Sequence, residues 1–404
     1  MISRIHNRMR QRKAIVTIAL ATALLGLPLL AMQSANAQTY TVLHYFNNAD
    51  GMAPQGPLIE GPDHMLYGAT NKGGAYLFGV VYKMSLTGKE TILHNFQYWN
   101  GFDANGGLVQ DAAGNLYGST YQGGNNGYTG LIYKLNKSGN QETVLHQLGL
   151  GTDGASPRSG LVADANGNLY GVTPNGGTLG GGTIFKVDST GHETVLHNFT
   201  GMADGSIPNG RLVFGPDGNL YGTTECGDIA CYTQGAGRVF KVDTAGNLTV
   251  LYSFSGGADG GTPTGALTFD AQGNIYGTAF FGGILSCGDY GYGCGVVFKL
   301  TPSGTETILY TFLGGSDGWN PNAGVILDAA GNMYGATLSD GTGVSCGVVF
   351  KLNPQGQETV LHSFTGPDGC TPGSELLLSN NALYGVTSEG GRPYYGVVFK
   401  ITLK

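Results

Sequence analysis

Basic residues are scarce in this chain, and five of its 20 lysines and arginines crowd into the first 13 positions. Beyond residue 37, 20 − 5 = 15 remain against 27 acidic residues, a formal charge of −12. That balance excludes nucleic acid and anionic membrane surfaces as partners. Tryptophan is nearly absent: Trp99 and Trp319 are the only two. Cysteine is missing from the first 225 residues. No stretch after residue 37 carries a helical period over three turns, which excludes a helix bundle. No H-E-x-x-H string and no phosphate loop occur, so neither zinc-protease nor nucleotide chemistry is signalled.

The first 37 residues read as a signal peptide. Arg4, Arg8, Arg10, Arg12 and Lys13 form a basic head, residues 14–32 an apolar run, and Ala35-Asn36-Ala37 a small-x-small cleavage site. Cleavage is expected before Gln38. The competing reading is an uncleaved anchor, since a bilayer needs about 20 apolar residues. Pro28 and the alanine pair favour cleavage, and no cysteine follows the run to carry a lipid. No later segment is apolar enough to span. Residues 38–404 are expected to form one domain that is exported, periplasmic or extracellular, and monomeric.

Glycine is abundant at 72 residues, but it recurs at fixed offsets between apolar runs and so marks turns. Tyr-Gly pairs begin at Tyr67, Tyr117, Tyr170, Tyr221, Tyr276, Tyr334 and Tyr384, spaced by 50, 53, 51, 55, 58 and 50 residues. An aromatic-Lys pair follows each, ending at Lys83, Lys134, Lys186, Lys241, Lys299, Lys351 and Lys400. Each unit reads as four short antiparallel strands, a to d; around Tyr170 these are 160–164, 169–173, 183–187 and 193–199. A four-stranded unit of this period is a β-propeller blade. The fold class is therefore all-β, a seven-bladed β-propeller, with a stacked solenoid as the alternative. The chain ends decide: a lone d strand (39–46) comes first and a lone c strand (396–404) last. The N-terminal strand completes the last blade and closes the ring, which removes the open edges a solenoid would leave.

The repeated string, L-Y-G-x-T-x-x-G-G, then G-x-x-F-K-L and G-x-E-T-V-L-H-x-F, resembles the tandem repeat of the GloVer (Gloeobacter/Verrucomicrobia) family over essentially all of residues 38–404. The resemblance implies secreted or surface-attached propellers of no established activity. It offers no catalytic residues and no cofactor. Many relatives carry a C-terminal sorting anchor, whereas this chain stops at Lys404, so a freely soluble exported form is expected.

In a meander the a–b and c–d turns share one face, and the b–c and d–a loops the other. The second face holds all the length variation, and function usually sits on such loops. Residues recurring in every blade read as scaffold. His44, His94, His146, His197 and His362, with Tyr252 and Tyr310 at the same position, read as aromatic donors between blades rather than a metal ring. The FK lysines read as ion-pairing or apolar-covering side chains. Asp50, Asp153, Asp204, Asp259, Asp317 and Asp368, each before a glycine, read as turn caps. The six have a second reading, a ring of carboxylates facing a cation or polar ligand, with Asp204, Asp259 and Asp317 the candidate site residues.

The loops that break the pattern carry the candidate ligand site. Trp99, Trp319, Tyr232, Tyr290 and Tyr292 lie there, with the acidic pair Glu225 and Asp228. Aromatic rings beside Asp, Asn and Gly suit stacking on sugars with hydrogen bonds at the edges. The six cysteines of an exported chain read as disulfides, and the repeat frame pairs them Cys226–Cys231, Cys287–Cys294 and Cys346–Cys370. The expected function is non-catalytic binding or scaffolding of a glycan or an envelope or extracellular protein, with no catalytic residue, metal or cofactor. The alternative is a carbohydrate-active enzyme using acidic residues on the same face.

Overall fold

A computed structural model describes residues 38–124, 129–149, 151–227, 236–287, 291–339 and 346–404. The apolar runs become strands at the expected places. In blade three they are Val162–Ala163, Leu169–Thr173, Thr183–Val187 and Glu193–Asn198, paired antiparallel in that order. Seven such sheets make a seven-bladed propeller. Thr39–Tyr45 supplies the outer strand of blade seven by pairing antiparallel with Val397–Thr402. The first and last strands of the fold thus share one sheet and close the ring. Among the described residues no helix is long and apolar enough to cross a membrane.

Each repeated residue has a packing job. Tyr170 buries its ring and donates its hydroxyl to Asp164 in the a–b turn at 3.1 Å, and five other Tyr-Gly tyrosines make the same bond. The glycine after it lies under the c-strand ring: a Cβ on Gly171 would stand 2.6 Å from Phe185 Cζ. That ring in turn meets the d-strand phenylalanine of the preceding blade edge-on, as in Phe199–Phe240 at 5.3 Å and Phe312–Phe350 at 5.2 Å. The FK lysines reach back over the tyrosines, 5.4 Å from the Tyr117 ring for Lys134 and 5.5 Å from Tyr276 for Lys299. Buried Leu, Val, Ile and Phe from facing blades fill the remaining space between sheets.

Two local features depart from the sequence expectation. The a strands are only two or three residues long, because the segments before them crowd the central axis. A Cβ on Gly106 would stand 2.7 Å from Ser159 O of the next blade, and one on Gly324 only 1.9 Å from Ala266 O. Backbone this close to a neighbouring blade leaves its own sheet. Blade four has a fifth strand, Ser206–Pro208, paired with an extended b strand, Leu220–Cys226. There Gly227-Asp228 stands in the sequence where other blades have a positive-φ glycine pair, such as Gly176 and Gly177, and Gly227 does not take positive φ, so the strand runs on through Glu225 and Cys226.

Candidate functional site

Five of the seven axial segments follow the pattern Pro-x-small-x-Leu, Ala104 replacing the proline in blade two and Val325 the leucine in blade six, and the two variable positions lie at the central channel. The first carries Gln55, Asn105, Arg158, Asn209, Thr264, Asn322 and Gly373, all but one polar. The second holds Pro57, Gly107, Gly160, Ala266 and Gly324 in five blades, but Arg211 in blade four and Glu375 in blade seven. Arg211 Nη2 donates to Glu375 Oε2 at 2.7 Å. The facing carboxylate, more than its burial, acts on Arg211 and keeps it charged.

This ion pair divides the channel. A cavity of about 330 Å³ lies at the first ring of variable positions, and a wider one of about 1420 Å³ extends along the a–b turns. Both are lined by Pro57, Gly107, Arg211 and Glu375. The smaller cavity is the more polar of the two. Asn209 Nδ2 donates to Glu225 Oε1 at 2.6 Å, and burial raises the Glu225 carboxyl above the usual range despite nearby Arg158. Arg158 lies over the Tyr121 ring at 5.2 Å and reaches its hydroxyl at 3.4 Å. Asn322 donates to Gly373 O at 3.2 Å and accepts from Thr264. Asn105 Oδ1, Ser159 Oγ, Arg211 Nε and Ser374 Oγ are buried with no partner among the described residues. Such groups are costly unless something bonds to them.

The repeat profile known as the Gloeobacter/Verrucomicrobia repeat matches residues 30–233, 91–290 and 279–404, nearly the whole of the propeller just described. The chain belongs to that family. No curated protein matches this Gloeobacter/Verrucomicrobia repeat chain. Among solved structures it is similar to an oligogalacturonate lyase from Vibrio parahaemolyticus, at 13% identity over 91% of this chain and 97% of that one, with TM-score 0.55. It is also similar to the PQQ-bound aldose sugar dehydrogenase from Streptomyces coelicolor, at 15% identity over 90% and 98% of the two chains, with TM-score 0.47. A structure described as a putative gluconolactonase is similar at 14% identity over 91% of this chain and 92% of that one, with TM-score 0.46. At 13% identity the likeness to the lyase concerns the fold alone.

In this family member the residues singled out from sequence fall in several places. Glu225 joins the channel mouth through Asn209. Trp99 is 64% exposed in a d–a loop beside stacked Tyr98 and Phe102, while Trp319 is half-buried, its indole N–H directed at Gly293 O at 3.4 Å. Neither tryptophan lines the channel cavities. Tyr292 tilts against Phe281 at 5.5 Å. Asp204 accepts from His197 and Thr200, Asp259 from Tyr252 and Ser255, and Asp317 from Tyr310 and Leu313 N; each caps its own d–a turn. Cys287–Cys294 and Cys346–Cys370 are bonded. Asp228, Tyr232, Tyr290 and the Cys226–Cys231 pairing lie outside the described residues.

The channel residues Arg158, Asn209, Arg211 and Glu375 were missed, although their signal is in the sequence. Comparing repeats by loop length hides them; aligning the Pro-x-small-x-Leu segments exposes an Arg and a Glu where other blades hold small residues or proline. The sequence also contains a hydrolase-like string: Gly314-Gly315-Ser316-Asp317-Gly318 fits G-x-S-x-G. It forms a single 3-10 turn, Gly315–Asp317, in a d–a loop, and Asp317 is bonded to Tyr310. The strand-turn-helix setting of a nucleophile elbow is not there.

Proposed function

We propose that this chain is an exported, non-catalytic binding propeller that takes a glycan at the channel mouth on the b–c and d–a loop face. The observation that carries this is the polar ring around the 330 Å³ cavity, with amide, hydroxyl and guanidinium groups whose hydrogen bonds the protein leaves unmade. Sugar hydroxyls present closely spaced donors and acceptors of the kind these groups need. Exposed Trp99 adds a ring face on the same side. A two-carboxylate hydrolase is less well supported, because Glu375 is held by Arg211 and Glu225 by Asn209. An envelope or extracellular protein remains the partner if glycans fail.

A glycan array with residues 38–404 tests this. Binding without product release is expected, weakened at least tenfold by Arg158→Ala or Asn209→Ala. Product release would move the chain to the enzyme class. Affinity indifferent to both substitutions would remove the channel mouth as the site.

A further inference from the structure

Each blade interface carries the same three-residue box: a d-strand residue, a d–a loop residue after it, and the first d-strand position of the next blade. The seven boxes are His44-Asp50-Glu90, His94-Asn100-Glu142, His146-Asp153-Glu193, His197-Asp204-Leu248, Tyr252-Asp259-Glu306, Tyr310-Asp317-Glu358 and His362-Asp368-Tyr40. Their third members occupy one register position: Glu90 pairs with Met84, Glu193 with Val187, Leu248 with Val242 and Tyr40 with Ile401. Only the first and third boxes combine an imidazole with two carboxylates.

Those two boxes are also bonded differently. Where the glutamate is missing, the histidine makes an ordinary bond to its aspartate, at 3.0 Å for His197 and 2.9 Å for His362. Tyr40 then fills the glutamate's place by stacking on His362 at 3.6 Å. Where asparagine replaces aspartate, Asn100 donates to Glu142 at 2.6 Å. In the two complete boxes, by contrast, the buried His44 Nε2 and His146 Nε2 make no close bond of this kind and sit between two carboxylates, while the glutamate Oε1 atoms are unpartnered as they are in the boxes of Glu142, Glu306 and Glu358. The Glu193 side chain is only 9% exposed. The spacings are 3.3 Å (His44–Asp50), 3.5 Å (His44–Glu90), 3.7 Å (His146–Asp153) and 3.8 Å (His146–Glu193). The edge of a tetrahedron of ligands around zinc, with metal–ligand distances near 2.05 Å, is about 3.4 Å.

We propose that His44-Asp50-Glu90 and His146-Asp153-Glu193 each bind one divalent cation of the zinc class, bracing the blade seven–one and two–three interfaces. A nitrogen donor with two carboxylates argues against calcium and magnesium, which take oxygen ligands. The ligands are held by outer bonds: Asp50 accepts from Asn47 N at 2.7 Å, Asp153 from Gly149 N at 3.0 Å, and the His146 ring bonds the Gly191 backbone. Burial lowers both histidines toward the neutral, ligating form. It also raises Glu90 to about 8 and Glu193 to about 7, each with a nearby aspartate adding to the effect.

The test uses residues 38–404, stripped with chelator, dialysed against Zn²⁺ and assayed by elemental analysis. Two equivalents are expected. Asp50→Asn and Asp153→Asn should each retain one, and the double variant none. Asparagine at this position is what the Asn100 interface already carries, so the fold tolerates it. Cobalt loading should give the visible absorption of a tetrahedral site, lost in the double variant. Retention below a tenth of an equivalent, or an unchanged stoichiometry in the double variant, overturns the proposal: the boxes then hold protons instead.

Discussion

At the residue scale, the recurrent side chains form one linked set. The tyrosine of Tyr-Gly fastens the a–b turn, its glycine makes room for the c-strand ring, and the lysine covers the tyrosine. Gly171→Ala therefore forces a methyl into Phe185 and Leu161, whose nearest atoms lie 2.6 and 2.9 Å from the new Cβ. The expected cost is about 1–3 kcal/mol, the usual range for overpacking a filled core. It should appear as a lowered urea midpoint at unchanged slope. An unchanged midpoint would mean that the ring relaxes freely. This set was legible in the sequence because repetition marks scaffold residues. The Arg211–Glu375 pair was not, because each partner occurs once and they lie 164 positions apart. Only the closed ring brings blades four and seven face to face.

At the scale of the element, the order of the four repeated strands and the b, c and d boundaries could be read from the repeat pattern. The a strands and the fifth strand of blade four could not, because crowding at the axis shortens the first and loss of a glycine turn creates the second. The interface boxes make a separate prediction at this scale. Burial raises Glu306 from 4.5 to about 7, with Asp259 adding and the Tyr252 hydrogen bond opposing. A carboxyl whose folded value lies above its unfolded one stabilises fully below about pH 4.5. That contribution is lost as pH rises to about 7. Glu306→Gln removes the ionisation. The variant should match the parent near pH 4.5 and exceed it in thermal midpoint at pH 8. Parallel profiles would show that Glu306 ionises without cost. This box holds no histidine, so no imidazole titration overlaps the readout.

At the scale of the whole molecule, the ring depends on one sheet whose strands come from opposite ends of the sequence. Thr39 pairs with Thr402 and Tyr45 with Val397. That phase was legible from the lone d strand at the start and the lone c strand at the end. What could not be read was how similar the seven interfaces are. Every one packs by the same aromatic contact or its close variant, Leu148 standing where most blades have phenylalanine. Among the described residues, the closing strand adds to this shared packing the stacking of Tyr40 on His362.

Sequence order and spatial order are therefore separable here. Because Thr39 and Thr402 are neighbours, a short linker can join the two termini. New ends can then be opened at the Thr301–Thr305 turn, making Glu306–Thr311 the first strand and placing the junction in blade five. Such a circular permutant should elute as the same compact species and keep the Cys287–Cys294 and Cys346–Cys370 bonds. A permutant that aggregates would show that the order in which the blades are made, and not their contacts alone, decides how the circle is completed.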